Sequence, residues 1–296
     1  MIPDSLDQLR ADIVEVGRRL WVRGFVASND GNISVRIGPD RLLMTPASVS
    51  KGFMTPEMMV VTDLDGGLVS GAPGRKPSSE IQMHLVAYRQ RADVGAVVHA
   101  HPPLSTGFAV AGIPLDRAVL AEVVTTLGSI PIVEYGTPST RELADTVKPY
   151  VKAHDGLLLA NHGALALGPD LFAAYYRMET IEHFARISLT ARLLGREHLL
   201  SREEVTRLQN LRGSYGIASP APICPDPMPV TAYADPTCQV VQAPVSSAAR
   251  LVPDTSVAAG PGRVSIGTDG EIRLTYAQLT ELIDEAVRQL GGSFNG

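Results

Sequence analysis

Two histidines, His99 and His101, stand two residues apart at the end of the apolar run VGAVVHAHPP. Side chains on a strand alternate between faces, so a spacing of two sends both imidazoles to the same side. Two neutral imidazoles side by side invite a metal ion, although a pair of buried or surface histidines would show the same pattern. A third ligand has to decide between them. The run GLLLANHGALAL supplies one: His162 lies where a second buried strand emerges, which is where open α/β sheets place their ligands. Three imidazoles from two strand ends can hold Zn²⁺ and leave a coordination position open for substrate, and imidazole also accepts Co, Ni, Mn or Fe. The remaining histidines read as structural or surface residues: His84 and His183 fall inside amphipathic helices, and His154 and His198 near helix ends.

A carboxylate completes the set. Pro77-Ser78-Ser79-Glu80 opens a helical pattern over 78–91, with Ser78 placed as N-cap and Glu80 in the first turn. Taken alone this is simple capping. Beside a metal, however, the free N–H groups and positive end of the helix suit a phosphate on Ser78 and Ser79, while Glu80 faces the ion as an acid–base group. Asn32, in Asn-x-Ser with Ser34, adds further donors.

The elements that must position these groups follow from periodicity. Leu6, Leu9, Ile13, Val16, Leu20 and Trp21 recur at helical spacing, so the chain opens on an amphipathic helix over 4–24. The segments NISVRI, RLLMT, MVVTD and GLVSG alternate and are broken by turn residues, as in an antiparallel meander. From Ser78 onward helices alternate with strands at 94–100, 130–134, 156–160 and 163–168, and long helices run to about 213. The expected fold is a three-layer α/β/α domain around a mixed, largely antiparallel sheet, spanning 1–215. Residues 216–262 hold nine prolines and no sustained periodicity, which reads as a linker. Beyond it, RVSIGTDGEIRL suggests a hairpin, and Leu279, Leu282, Ile283, Ala286, Val287 and Leu290 give one apolar face to a short helix within 263–296.

The formal charge of −5, with acids and bases interspersed, provides no basic face for nucleic acid or an anionic membrane. No apolar run reaches the roughly 20 residues of a membrane span, and MIPDSLDQLRADI lacks the pattern of a secretion signal, so a cytoplasmic protein is expected. Cys224 and Cys238, in the Pro-rich stretch, match no CxxC pattern and read as reduced, incidental thiols.

The motifs GNIS, TPAS-x-SKG, KPSSE, VVHAHPP and NHG, in this order over residues 5–215, resemble the class II aldolase/adducin family, and most of all its L-fuculose-1-phosphate aldolases. The resemblance implies a zinc-dependent aldehyde-lyase that cleaves a ketose 1-phosphate to dihydroxyacetone phosphate and an aldehyde. His99, His101 and His162 would bind the metal and Glu80 would be the acid–base group. Asn32, Ser48, Ser78 and Ser79 would hold the phosphate, with Ala47-Ser48 standing where the family has Thr-Gly and Leu120 where the fuculose enzymes have a tyrosine. It also implies a cyclic homotetramer in which Tyr215, in GSYGI, completes a neighbour's site. A carboxylate with a raised pKa suits the proton transfer expected of Glu80. Decarboxylation of a sugar-acid phosphate is the alternative within the family. Epimerases carry Asp at the Glu80 position, and adducin heads, which are scaffolds, lack the histidines. The Pro/Ala-rich segment and terminal helix resemble encapsulation peptides that dock enzymes to bacterial microcompartment shell proteins; a helix that folds back on its own subunit would have the same pattern.

Overall fold

The computed structural model describes residues 6–217, 219–225 and 238–242, together with the backbone of two short strands at 265–266 and 272–273. It divides into two compact units, Met1–Ala243 and Pro244–Gly296.

The first unit opens with α1 (Leu6–Val22), whose Leu9, Ile13, Val16 and Leu20 are buried as the helical period requires. Trp21 lies off that stripe, 44% exposed, with its ring edge against Phe53. The meander follows as β1 (Asn32–Arg36), β2 (Arg41–Met44), β3 (Val60–Asp63) and β4 (Leu68–Ser70), each strand antiparallel to the one before. Then come α2 (Ile81–Gln90), β5 (Ala96–Ala100), α3 (Pro103–Val110), α4 (Ala121–Thr126), β6 (Ile132–Val133), α5 (Arg141–Val147), β7 (Gly156–Leu159), β8 (Gly163–Gly168), α6 (Leu171–Leu193) and α7 (Arg202–Gln209). The sheet order is β4-β3-β2-β1-β5-β8-β7-β6, and the β6–β7 pair alone is parallel among the described strands.

Alternation along the strands builds a core on each face. Ile33, Val35, Val98, Ala164 and Ala166 pack toward α1, α3 and α6, while Leu42, Met44, Val97, Leu165 and Leu167 pack toward α2 and α5. This is the expected three-layer arrangement with a largely antiparallel sheet. The element α4 was not anticipated; its Val124 joins Ala118, Val205 and Val241 in a small separate cluster.

Two differences concern the segment after Tyr215. The compact unit runs to Ala243 rather than stopping near Tyr215, because Ser219, Cys224, Gln239 and Val241 are buried against it. Cys224 and Cys238, expected as free thiols, are joined as a disulfide. The reason is local pairing: Cys224 N–H donates to Gln239 O at 3.0 Å and Gln239 N–H to Pro222 O at 2.8 Å, which brings the two Cα atoms to 5.0 Å, within bridging range. In the second unit, Ser265–Ile266 and Ile272–Arg273 pair antiparallel, as expected of the hairpin. The terminal amphipathic helix and most of the linker lie outside the described residues. No helix among those described is long and apolar enough to cross a membrane.

Candidate metal centre and acid–base site

His99 sits in the penultimate position of β5, its Cα registered against Asn32 of β1 on one side and Leu165 of β8 on the other. It therefore points to the α2 face of the sheet. His101 follows just beyond the end of β5, and His162 occupies the tight β7–β8 connection. Their ring centroids are 4.7 to 5.0 Å apart, and one nitrogen from each lies within 4.8 Å of the others.

The bend of the β7–β8 connection is made ahead of Gly163. Asn161 carries the left-handed conformation, at φ 55°, and Gly163 is instead a point of close approach. A Cβ there would lie 2.5 Å from Ala100 O and 2.6 Å from His101 Cδ2.

The hydrogen bonds settle which nitrogens face each other. His99 Nδ1 lies 2.9 Å from Ala164 O, so this nitrogen carries the proton and donates it. His101 Nδ1 lies 3.3 Å from Asp30 Oδ2 and is likewise the donor. Both Nε2 atoms are then left with lone pairs, and they stand 3.1 Å apart. Two lone pairs at that distance repel unless a cation lies between them. Tetrahedral zinc with bonds of about 2.05 Å separates its nitrogens by about 3.3 Å. The three imidazoles thus fit one divalent ion. Burial holds His99 down to about 3 and lowers His101 as well, which keeps both rings in the neutral, ligating form.

Glu80 immediately precedes α2 and does not cap it. Ser78 Oγ accepts the Glu80 N–H at 3.3 Å, so the helix begins three residues later than expected, at Ile81. The carboxylate is free to face the histidines, with Oε1 3.2 Å from His162 Nε2 and Oε2 3.4 Å from His99 Nε2. Burial pushes this carboxyl up, yet the facing His99 and His162 rings and the Asn32 N–H outweigh it. The net direction is downward, the opposite of the raised carboxylate expected.

A cavity of about 310 Å³ opens beside this group, lined among others by Asn32, Ser48, Lys51, Ser78, Ser79, Glu80, His101 and His162. Ser48 holds a left-handed backbone, φ 57°, and Ser79 Oγ accepts from Ser139 Oγ at 2.7 Å. Asn32, expected among the phosphate donors, is 3% exposed and already engaged, its Nδ2 donating to Glu80 Oε2 at 2.7 Å. Tyr215 is 65% exposed and does not line the cavity of its own chain.

Besides Asp30, two residues of the site escaped sequence reasoning. Lys51 stands in the TPAS-x-SKG motif, but nothing in its spacing announces a buried ammonium. Its Nζ donates to Asn29 O at 3.1 Å and Val49 O at 2.7 Å, and burial lowers it to about 8. His84, read as a structural or surface residue, is fully buried one step behind Asn32, with Nε2 2.5 Å from Asn32 Oδ1. Its recurrence four residues after Glu80 was the available signal.

Comparison with known proteins agrees with the motifs and the geometry. Residues 11–189 match the model of the class II aldolase and adducin N-terminal domain, and the chain belongs to that family. It is 33% identical to an L-fuculose phosphate aldolase of Methanococcus maripaludis over 177 residues, covering 60% of this chain and 94% of the relative. It is 30% identical to a 3-oxo-tetronate 4-phosphate decarboxylase of Haemophilus influenzae over 203 residues, covering 67% and 94%. Among solved structures, an L-fuculose 1-phosphate aldolase superposes with a TM-score of 0.63 at 30% identity, covering 68% of this chain and 94% of that one.

Proposed function

We propose that this protein is a zinc-dependent lyase that cleaves a ketose 1-phosphate of the L-fuculose 1-phosphate type to dihydroxyacetone phosphate and an aldehyde. The observation that carries the proposal is the carboxylate of Glu80, with both oxygens turned to the three-histidine cluster at the mouth of a cavity lined by hydroxyls and an ammonium. One divalent ion held by His99, His101 and His162 supplies Lewis-acid stabilisation of the negative charge that develops on the sugar oxygens.

The chain's own groups divide the rest of the work. Glu80 moves the proton at the carbon that becomes the hydroxymethyl of the product. Ser48, Ser78 and Ser79 donate to the phosphate, and the Lys51 ammonium balances its charge from the cavity wall. Asn32 serves the phosphate only with whatever amide hydrogen Glu80 leaves free. Tyr215 of the partner subunit, in a homotetramer, exchanges the proton on the aldehyde-side oxygen. The cytoplasm is the setting this chemistry suits. Residues 263–296 are the segment to test for shell docking: a fluorescent protein fused to them that stays diffuse among assembled microcompartments removes that role.

Decarboxylation of a sugar-acid phosphate is the second reading, favoured by the similarity to the Haemophilus influenzae decarboxylase. The deciding experiment measures dihydroxyacetone phosphate release from L-fuculose 1-phosphate, L-rhamnulose 1-phosphate and ribulose 1-phosphate by zinc-loaded protein, with and without chelator. Chelator-sensitive release supports the aldolase. No release from metallated protein, with carbon dioxide evolved from 3-oxo-tetronate 4-phosphate, establishes the decarboxylase instead.

A further inference from the structure

Glu80, His84 and Tyr88 recur every four residues, which places them along one stripe of the chain from the start of α2. That stripe meets the side of β1 from which Asn32 and Ser34 project two residues apart. Between the two runs a continuous chain of hydrogen bonds. Asn32 Nδ2 donates to Glu80 Oε2 at 2.7 Å, and Asn32 Oδ1 lies 2.5 Å from His84 Nε2. His84 Nδ1 lies 2.7 Å from Ser34 Oγ, which lies 2.9 Å from the Tyr88 hydroxyl, and that hydroxyl reaches Ser34 O at 2.8 Å. His84 and Ser34 are fully buried, and Asn32 and Tyr88 are 3% exposed, so each of these atoms depends on the chain for its partner.

Counting protons leaves one arrangement. An ionised Glu80 only accepts, so Asn32 must turn its NH₂ to it and its carbonyl to His84. His84 Nε2 must then carry a hydrogen, and Nδ1 accepts from the Ser34 hydroxyl. The Tyr88 proton serves the Ser34 oxygens. The other tautomer, with the proton on Nδ1, would set a nitrogen lone pair against the amide oxygen at 2.5 Å. Turning the amide over would relieve that contact only by aiming its oxygen at the Glu80 carboxylate. Burial keeps the ring neutral, holding His84 down to about 4, so two donors are not available to it. Glu80 itself makes no capping bond to α2, and its orientation therefore comes from across the sheet.

We propose that His84 is a positioning residue: as the neutral Nε2–H imidazole it locks the Asn32 amide with its N–H toward Glu80, and so holds that carboxylate against the three-histidine cluster. The role rests on Glu80 as the acid–base group. His84 touches neither metal nor substrate; it acts through Asn32.

The amide side chains separate the two ring nitrogens. In His84→Gln the amide nitrogen falls where Nε2 was and can donate to Asn32 Oδ1, whereas His84→Asn reaches only the Nδ1 position. With zinc-loaded protein, His84→Asn is expected to lower kcat for sugar-phosphate cleavage by about 10- to 100-fold, the worth of one hydrogen bond to a charged group. Its KM and zinc stoichiometry stay within about twofold of wild type, and His84→Gln recovers most of the lost kcat. Equal impairment of both variants, or a loss confined to KM or zinc content, overturns the proposal. A second readout needs no turnover: in protein labelled with ¹⁵N-histidine, His84 is expected as the Nε2–H tautomer, and an Nδ1–H signal refutes the role. If wild-type protein cleaves none of the sugar phosphates, the aldolase reading fails, while the tautomer still decides for or against the lock on Asn32.

Discussion

An alanine at position 163 would bring its methyl group within 2.5 Å of Ala100 O, 2.6 Å of His101 Cδ2 and 3.3 Å of His99 Cε1. Unstrained contacts between such atoms begin near about 3.5 Å, so the β5 end and the His101 ring have to give way by roughly 1 Å. That is about half the length of a zinc–imidazole bond of about 2 Å, and the nitrogens it displaces stand only 3.1 Å apart. Gly163→Ala is therefore expected to weaken zinc binding by about 10- to 100-fold, the range seen when support for metal ligands is disturbed. It should also cost about 1–3 kcal/mol of stability through overpacking. Competition against a chromophoric chelator reads the first effect, and urea unfolding of chelated protein reads the second. Gly107→Ala is the control, because a Cβ there meets nothing within 4 Å. In the helical setting of α3 it gains up to about 1 kcal/mol and leaves zinc affinity unchanged. Wild-type affinity and stability in Gly163→Ala would refute the claim that the histidine pair demands a glycine beside it.

Glu80→Gln should lower kcat by about 10²- to 10⁴-fold while the protein still binds zinc, and normal turnover would remove Glu80 from the proton transfer. Tyr215→Phe should also be impaired; refolding the two variants together restores part of the activity if the site spans subunits, and no recovery points to a site within one chain. His84 is held down to about 4 from 6.5, so the unfolded chain binds its proton first. The stability this gives is fully present above about 6.5 and is lost as pH falls toward 4, amounting to about 2 kcal/mol by pH ~5. Urea midpoints of chelated wild type should fall more steeply with acid than those of His84→Gln, and parallel curves would contradict the burial argument. Asp155 is buried between Arg91 at 2.6 Å and Arg177 at 3.0 Å, and Arg91 also holds Asp93, so Asp155→Asn should destabilise by about 3–5 kcal/mol in urea chiefly by taking the carboxylate from the buried Arg177 guanidinium. A loss under about 1 kcal/mol would show that water reaches those groups.

The metal-binding candidates were legible in the sequence because period two in a strand decides which face a side chain takes. His99 and His101 needed no knowledge of the sheet's order, and His162 was marked by the abrupt end of an apolar run. The alternating meander and the helical stripe of α1 were legible for the same reason, since burial of one face imposes a period on the chain. Where periodicity is absent, sequence reasoning failed. The disulfide between Cys224 and Cys238 depends on a pairing of residues 222–224 with 239 that no local pattern encodes. The burial of Lys51, the acidic partner of His101 at Asp30, and the close approach at Gly163 are likewise contacts between segments distant in sequence. His84 shows the division most clearly. Its spacing from Glu80 and Tyr88 is a fact of sequence, and so is that of Asn32 from Ser34. Only the packing of α2 over β1 brings the two stripes within hydrogen-bond reach, and only burial, by removing water as an alternative partner, makes the direction of each hydrogen bond obligatory.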